Sequence, residues 1–509
     1  MYQTIALWAL LVATVGLSAW KWLRVAQREH YEPGRVSAMV LVWVRARNLN
    51  AALGASALLF FALCFAVPAA AIASLVAGTV FPIGLRFFPK TTPLVVTGRI
   101  KRLLGVVVLI DGLALALAWL AYAPAGVAVL LLQPLIVDAA LTATRPMESA
   151  ISARYVASAR QRLASVQPVV VAITGSYGKT STKNYAHRIV SGSRRVLASP
   201  ASFNNILGLS KAINDGLRPG IEVFIAEMGT YGPGEIRRLC RLFKPQIAAI
   251  TTIGEAHLER MGTRAAIVSA KSEILEDVEI AVLNVDVEEL ASLARTLRTD
   301  KNVIRCSARG PADSEVAVIS NGSKWQVFIH SRWCVDIPAP ETGHAINLAI
   351  AIGIALAVGL PEDRILSSVA NGGLTQPSHR AEITRTSDGV VVIDDTYNAN
   401  PDGAAAALRS AVRLAGKAGK VWTVSPGMIE LGRNQAVRNR AFAAEATAST
   451  NMRLIVVGYT NRRDLIAGAT DHTRVLLAKD RAAAQRFIET DLSAGDVVLY
   501  ENDLPSHYP

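Results

Sequence analysis

The chain has 509 residues, 51% of them hydrophobic and 18% charged, with a mean hydropathy of +0.32 and a formal net charge of +13. That length is too great for one core and predicts about three domains, while the apolarity excludes an ordinary soluble enzyme and predicts membrane segments. The charge is concentrated: residues 1–167 hold fifteen Lys/Arg against five Asp/Glu, which excludes a general nucleic-acid-binding surface and predicts basic loops beside membrane spans.

The first apolar run, residues 5–20, is followed by Lys21, Arg24 and Arg28. Positive charge after the run, not before it, argues for a span against a secretory leader. Residues 51–85 carry no charge, and this stretch far exceeds the roughly 20 residues one crossing helix needs, so two spans broken near Pro68 are expected. Further runs at 103–122 and 124–143, divided at Ala123 and Pro124, bring the expectation for residues 1–145 to about five spans. With the N-terminus outside, the basic clusters at 21–47, 86–102 and 145–162 all face the cytoplasm. The expected location is therefore the cytoplasmic (inner) membrane, multi-pass, with membrane lipid as a partner. Asp111 and Asp138 fall inside the last two runs, either as functional intramembrane carboxylates or as interhelical polar contacts. Cys64, Cys240, Cys306 and Cys334 have no C-x-x-C spacing, so neither a structural zinc site nor a disulfide framework is expected.

Residues 146–167 read as a polar helical connector, and the pattern changes at Val169. Strand-like runs VVVAIT, VFIAEM, IAAITTI and IAVLNV alternate with helical stretches, the rhythm of a parallel sheet covered by helices, over an expected domain 168–376. A second such rhythm (VVVIDD, VWTVSP, LIVVG, VLLA, DVVLYE) fills 377–509. The fold class is thus α/β: an N-terminal helical membrane domain, a P-loop parallel-sheet central domain and a Rossmann-like C-terminal domain. The apolar stretch 347–359 is too short to span and reads as a buried helix.

Between the first strand and its helix lies ITGSYGKTSTK, residues 173–183. The long phosphate-loop pattern needs glycine where Ile173 stands, and Gly175 lies two residues too close. Strand, glycine turn and helix start still present backbone N–H groups to phosphate, with Lys179 to neutralise charge and the Thr180 hydroxyl to meet Mg²⁺. The bland alternative is a chance Gly-Lys-Thr in a strand–helix turn.

Seven further segments follow in order: FNNILGLSKAI (203–213), IAEMGTYGPGEI (225–236), ITTIGEAHLERMG (250–262), AKSEI (270–274), HRAEI (379–383), IDDTYNANPDGAAAAL (393–408) and GMIELG (427–432). With the short loop, these resemble the Mur ligase family over about residues 168–500, most closely the branch that adds D-alanyl-D-alanine to a UDP-muramoyl peptide. In that family the short loop is the ordinary form. The resemblance implies an ATP-dependent, ADP-forming ligase that turns a carboxylate into an acyl phosphate and gives it to an amine, with ATP and Mg²⁺ as cofactors and no nucleic-acid partner.

The resemblance also implies the site. Gly175, Ser176, Gly178, Lys179, Thr180 and Ser181 hold the phosphates. Thr180, Glu227, His257 and a carbamylated Lys271 hold Mg²⁺, and Lys179, His257 and Lys271 carry the catalysis. Asn347, Arg380, Asp395, Tyr397 and Asn398 contact the nucleotide, and Asn204 and Asn205 position the carboxylate substrate. Taken alone, His257 reads as a structural histidine, and Lys271 as a partner of Glu273 or Glu276. The chain departs from the family where a soluble UDP-sugar domain normally stands, in the Glu-Thr-Gly-His run ending at His344, at Asn439, and in its C-terminus YENDLPSHYP. A poly-γ-glutamate synthase-like ligase, a transport-coupled ATPase and an inactive scaffold are the competing readings.

Overall fold

The computed structural model describes all residues except 1, 88–92, 201–202, 256–257, 298–300, 342, 372–380, 398–399, 490 and 505–506, and leaves out the side chains of 2–4 and 6. Contacts divide it into one unit of residues 1–151, 458–462 and 504–509, and another of residues 152–457 and 463–503.

The first unit is helical. Among the described residues, Leu7–Arg28 and Gly98–Ala121 are long and apolar enough to cross a membrane. Ala123–Leu131 and Gln133–Val166 meet that test only together, bent by 68°, so the count is two or at most three and not the expected five. The uncharged stretch breaks at Pro68 as expected, but into helices Asn48–Leu63 and Ala70–Val80 of 16 and 11 residues, both short of the roughly 20 a crossing needs. Pro134, in the first turn of Gln133–Val166, lacks the N–H that would continue the preceding helix, which explains the break there. Gln133–Val166 then runs through Pro146 without interruption, so the expected connector is the far part of one helix.

The basic residues of the first cluster are not all free for headgroups. Lys21 and Arg24 are buried, with Lys21 Nζ donating to the Phe81 carbonyl at 2.7 Å and Arg24 to the Arg86 carbonyl at 3.0 Å. Both carboxylates expected within spans have structural partners: Gln133 Nε2 donates to Asp111 at 2.7 Å, and Asp138 accepts from the N–H groups of Val36 and Ser37, capping helix Arg35–Ala46.

The second unit holds two sheets. The nine-stranded one comprises β1 (Val169–Thr174), β2 (Val196–Ala198), β3 (Val223–Glu227), β4 (Ile247–Ile250), β5 (Ile280–Asn284), β6 (Asn302–Ser307), β7 (Val316–Asn321), β8 (Lys324–Ile329) and β9 (Arg332–Pro338). Its order is β2-β3-β1-β4-β5-β6-β7-β8-β9, parallel until β7 and antiparallel through β8 and β9. The runs of Val, Ile and Ala in β1, β3, β4 and β5 are buried on both faces, as a helix-covered parallel sheet requires. The apolar helix Ala345–Ala357 is indeed internal, with Leu348 to Ile352 fully buried. Because β1 lies between β3 and β4, its carboxyl end is the switch point where such sheets leave a crevice for ligands.

The six-stranded sheet comprises β10 (Glu382–Arg385), β11 (Val391–Asp395), β12 (Val421–Ser425), β13 (Met452–Val457), β14 (Val475–Ala478) and β15 (Val497–Glu501), in the order β10-β11-β15-β12-β13-β14. Only β10 is antiparallel to its neighbour. Helix Pro401–Ala415 starts on local capping chemistry: Asn400 accepts from the Gly403 N–H at 2.9 Å, proline opens the helix and Asp402 lies in its first turn.

Candidate active site

The loop 175–178 leaves β1 at the switch point. Gly175 has φ +152°, and a Cβ there would stand 1.9 Å from Thr251 Oγ1. Gly178 has φ +82°, and its Cβ would meet Asn347 Oδ1 at 2.4 Å. Both glycines are therefore demanded by backbone angle and by neighbours. The loop is clamped to the chain leaving β4: the Ser176 N–H donates to the Thr252 carbonyl at 2.9 Å, and Ser176 Oγ donates to the Gly254 carbonyl at 3.0 Å. Helix Lys179–Ser191 follows at once, so its first N–H groups point into the crevice. Lys179 Nζ curls back onto the Gly175 carbonyl at 2.7 Å.

Glu227 ends β3 beside this loop, with 1% of its surface exposed. Thr180 Oγ1 donates to Glu227 Oε2 at 2.9 Å, Lys183 Nζ to the same oxygen at 3.3 Å, and Asn204 Nδ2 to Oε1 at 3.5 Å. Thr180, Glu227 and Asn204 thus meet as expected. Lys183 was missed, although it stands one helical turn beyond Lys179 on the same face. Asn205 separates from them: its side-chain oxygen accepts from the Gly208 N–H at 2.9 Å and caps helix Ile206–Gly216.

Lys271 is buried in helix Arg264–Ser272, and burial, followed by the positive charge of Lys179, holds its amine well below the ordinary lysine range. Its bland partners are engaged elsewhere. Glu273 accepts from the N–H groups of Gly234 and Arg237 at 2.7 and 3.0 Å, and Glu276 pairs with the Arg237 guanidinium. Among the described residues no three His, Cys, Asp or Glu side chains form a metal-holding group. His257, Arg380 and Asn398 lie outside the described residues.

A cleft of ≈ 120 Å³ lies between the two sheets' domains, with Gly178, Ser181 and Asn347 on one side and Asp395, Asn400 and Glu501 on the other. Ser181, Asn347 and Asp395 are thereby brought together, whereas Tyr397 is 47% exposed at the surface. Asp395 Oδ1 accepts from the Ala381 N–H at 3.0 Å. The larger cavity, ≈ 580 Å³ around Arg160, Pro168, Val170 and Lys244, opens at the amino end of β1 and holds none of the expected residues. Parallel sheets place ligands at the other end, so the smaller cleft is the candidate site.

The bonds that join the two domains were not foreseen in the sequence. Tyr177 Oη donates to Asp402 Oδ2 at 2.9 Å, and the Arg438 guanidinium grips Glu255 through contacts of 2.7 and 2.5 Å. Asn439 holds the GMIELG turn, accepting from the Met428 N–H at 2.8 Å and donating to the Met428 carbonyl at 2.9 Å.

Two family models match the chain: the Mur ligase middle domain over residues 173–355, and the Mur ligase glutamate ligase domain over residues 379–500. The UDP-N-acetylmuramoyl-tripeptide–D-alanyl-D-alanine ligase of Treponema pallidum is 30% identical over 333 residues, 65% of this chain and 70% of that one. Its counterpart from Mycobacterium leprae is 29% identical over 395 residues, 71% of this chain and 74% of the relative. The crystal structure of MurF ligase from Thermotoga maritima in complex with ADP shares the fold, with a TM-score of 0.60 and 23% identity over 69% of this chain and 80% of that one. From the short glycine loop to the strand end at Glu501, the chain belongs to the Mur ligase family.

Proposed function

We propose that this Mur ligase, an ATP-dependent and ADP-forming amide ligase, joins an amine such as D-alanyl-D-alanine to the terminal carboxylate of a peptidoglycan precursor at the cytoplasmic face of the membrane. The observation that carries the reading is the Thr180 hydroxyl set against Glu227 beneath the short loop. Phosphoryl transfer asks mainly for positioning and charge neutralisation. The loop N–H groups and the start of helix Lys179–Ser191 receive the phosphates, and Lys179 swings from the Gly175 carbonyl to meet their charge. The substrate carboxylate attacks the γ-phosphorus and ADP leaves. The amine then attacks the acyl carbon of the acyl phosphate and inorganic phosphate departs. Asn204 stands beside Glu227 to orient the carboxylate, and Asn347 and Asp395 hold the nucleoside across the cleft.

The residues present fit Mg²⁺: the Thr180 hydroxyl and the Glu227 carboxylate are adjacent oxygen donors of the kind a hard cation takes. The bound ion would neutralise the phosphates. Lys271 fits a carbamate, because its burial favours the neutral amine, the form that adds carbon dioxide. The membrane part of the reading rests on helix Gly98–Ala121, where Leu109, Leu113, Leu117 and Leu120 are between 60% and 81% exposed along one stripe suited to lipid. Transport coupling has less support, since Asp111 and Asp138 both serve helix contacts.

The test incubates full-length protein with ATP, Mg²⁺, UDP-muramoyl tripeptide and D-alanyl-D-alanine, following phosphate release and product mass. Stimulated release with an amide product supports the reading, and Lys179→Ala should abolish it. Hydrolysis that neither this pair nor a glutamate panel stimulates defeats it.

A further inference from the structure

β11 and β15 are parallel neighbours, and Asp395 stands opposite Glu501 in their register. Both acids line the nucleotide cleft. Glu501 is 1% exposed, and among the described residues no group hydrogen-bonds to either of its carboxyl oxygens. A buried acid with no hydrogen-bond partner among the described residues weakens the fold unless a ligand group meets it. Burial first, then the nearby charge of Asp395, pushes the Glu501 carboxyl well above the ordinary carboxylate range. A neutral carboxyl has one O–H to donate and oxygens left to accept. Asp395 accepts from the Ala381 N–H at one oxygen, and a carboxylate offers about four lone-pair sites in all. Two carboxyl groups in register, one donating and one accepting, match a ligand with two neighbouring hydroxyls, each of which donates and accepts.

We propose that Glu501 is a second ribose-recognition residue, reading the nucleotide's vicinal hydroxyls together with Asp395 across the β11–β15 register. The proposal rests on the reading of this cleft as the ATP site. It assigns a role to the strand end YEND, the segment where the chain departs from the family pattern.

The test is calorimetric titration of full-length protein with a non-hydrolysable ATP analogue and its 2′-deoxy and 3′-deoxy forms, with Mg²⁺. Glu501→Leu is expected to weaken the ribose form about tenfold, the worth of one buried hydrogen bond, and to abolish the preference over at least one deoxy form. Glu501→Gln, neutral but still able to donate and accept, should stay within about threefold of the wild type. Ligand-free Glu501→Leu should melt no lower than the wild type, which separates a lost contact from a lost fold. Unchanged ribose discrimination in Glu501→Leu overturns the proposal, as does a wild type that binds all three analogues equally. If the leucine variant does not fold, the wild-type sugar comparison and the glutamine variant decide. A wild type that binds no adenine nucleotide overturns the ATP-site reading, and the inference with it.

Discussion

Tyr177 donates its phenolic hydrogen to Asp402 at 2.9 Å, tying the short glycine loop of the middle domain to the first turn of helix Pro401–Ala415 in the C-terminal domain. The variable residue of the loop motif therefore reports whether the two domains are closed over the cleft. Burial and the Asp402 charge hold the phenol above the ordinary tyrosine range, so it stays a donor at every pH at which the enzyme would work. Tyr177→Phe should raise KM for ATP by about two- to tenfold, the range expected for one lost hydrogen bond. Steady-state phosphate release measures it, and an unchanged KM removes this bond from the closed state.

The Arg438–Glu255 pair joins the same two domains, but the Arg438 side chain is 43% exposed. A double-mutant cycle with Arg438→Ala and Glu255→Gln should give a coupling of no more than about 1 kcal/mol in melting experiments, shrinking with added salt. A coupling that ignores salt would contradict this account of a half-solvated pair.

Lys183 and Glu227 are each 2% exposed in their side chains and lie 3.3 Å apart. Removing one partner strands the other charge, so Lys183→Met should destabilise ligand-free protein by about 3 kcal/mol. Thermal or urea melts check the figure. An indifferent melt would mean that Thr180 and Asn204 suffice to solvate Glu227.

Glu501 predicts a pH dependence. Its carboxyl is raised in the folded state, so below the ordinary carboxylate range both states hold the proton and the stability contribution is full. As pH rises, the unfolded chain releases its proton first, and stability falls until the folded carboxyl also ionises. The slope reaches at most about 1.4 kcal/mol per pH unit for one proton. Melting temperature against pH should therefore be flatter in Glu501→Gln than in the wild type, with Asp395 present in both. Parallel curves would show that Glu501 is ionised in the fold.

The C-terminal tail is part of the N-terminal helical unit. Trp43 Nε1 donates to the His507 carbonyl at 2.9 Å, His507 Nε2 meets Glu29 at 2.9 Å, and the Pro509 carbonyl accepts from Tyr459 and Thr460. Truncation after Asp503 orphans these groups at about 1–3 kcal/mol each, so it should lower the melting of the helical unit, followed through tryptophan emission. An unchanged melt would show the tail to be dispensable there.

Much of the soluble fold was legible because its signals are local. The apolar runs of β1, β3, β4 and β5 and the glycines at 175 and 178 each depend on a few adjacent residues. The N-terminal helical unit was less legible, because hydropathy does not fix how far each helix runs. The uncharged stretch 51–85 became two short helices, and the last run bent at Leu132. Within the site, motif order located Thr180, Glu227, Lys271 and Asp395. It passed over Lys183 and Glu501, whose pairing and burial depend on what lies a helical turn away or across a strand register.

By itself the sequence determined the class of chemistry, because the short loop, the strand-end carboxylate and the spacing of the motifs are properties of consecutive residues. Only the tertiary structure decided which groups share a charge, a proton or a cleft. Asp395 and Glu501 are 106 residues apart in the chain and opposite each other in the sheet. Burial and pairing are many-body properties of the packed chain, and no stretch of sequence carries them alone.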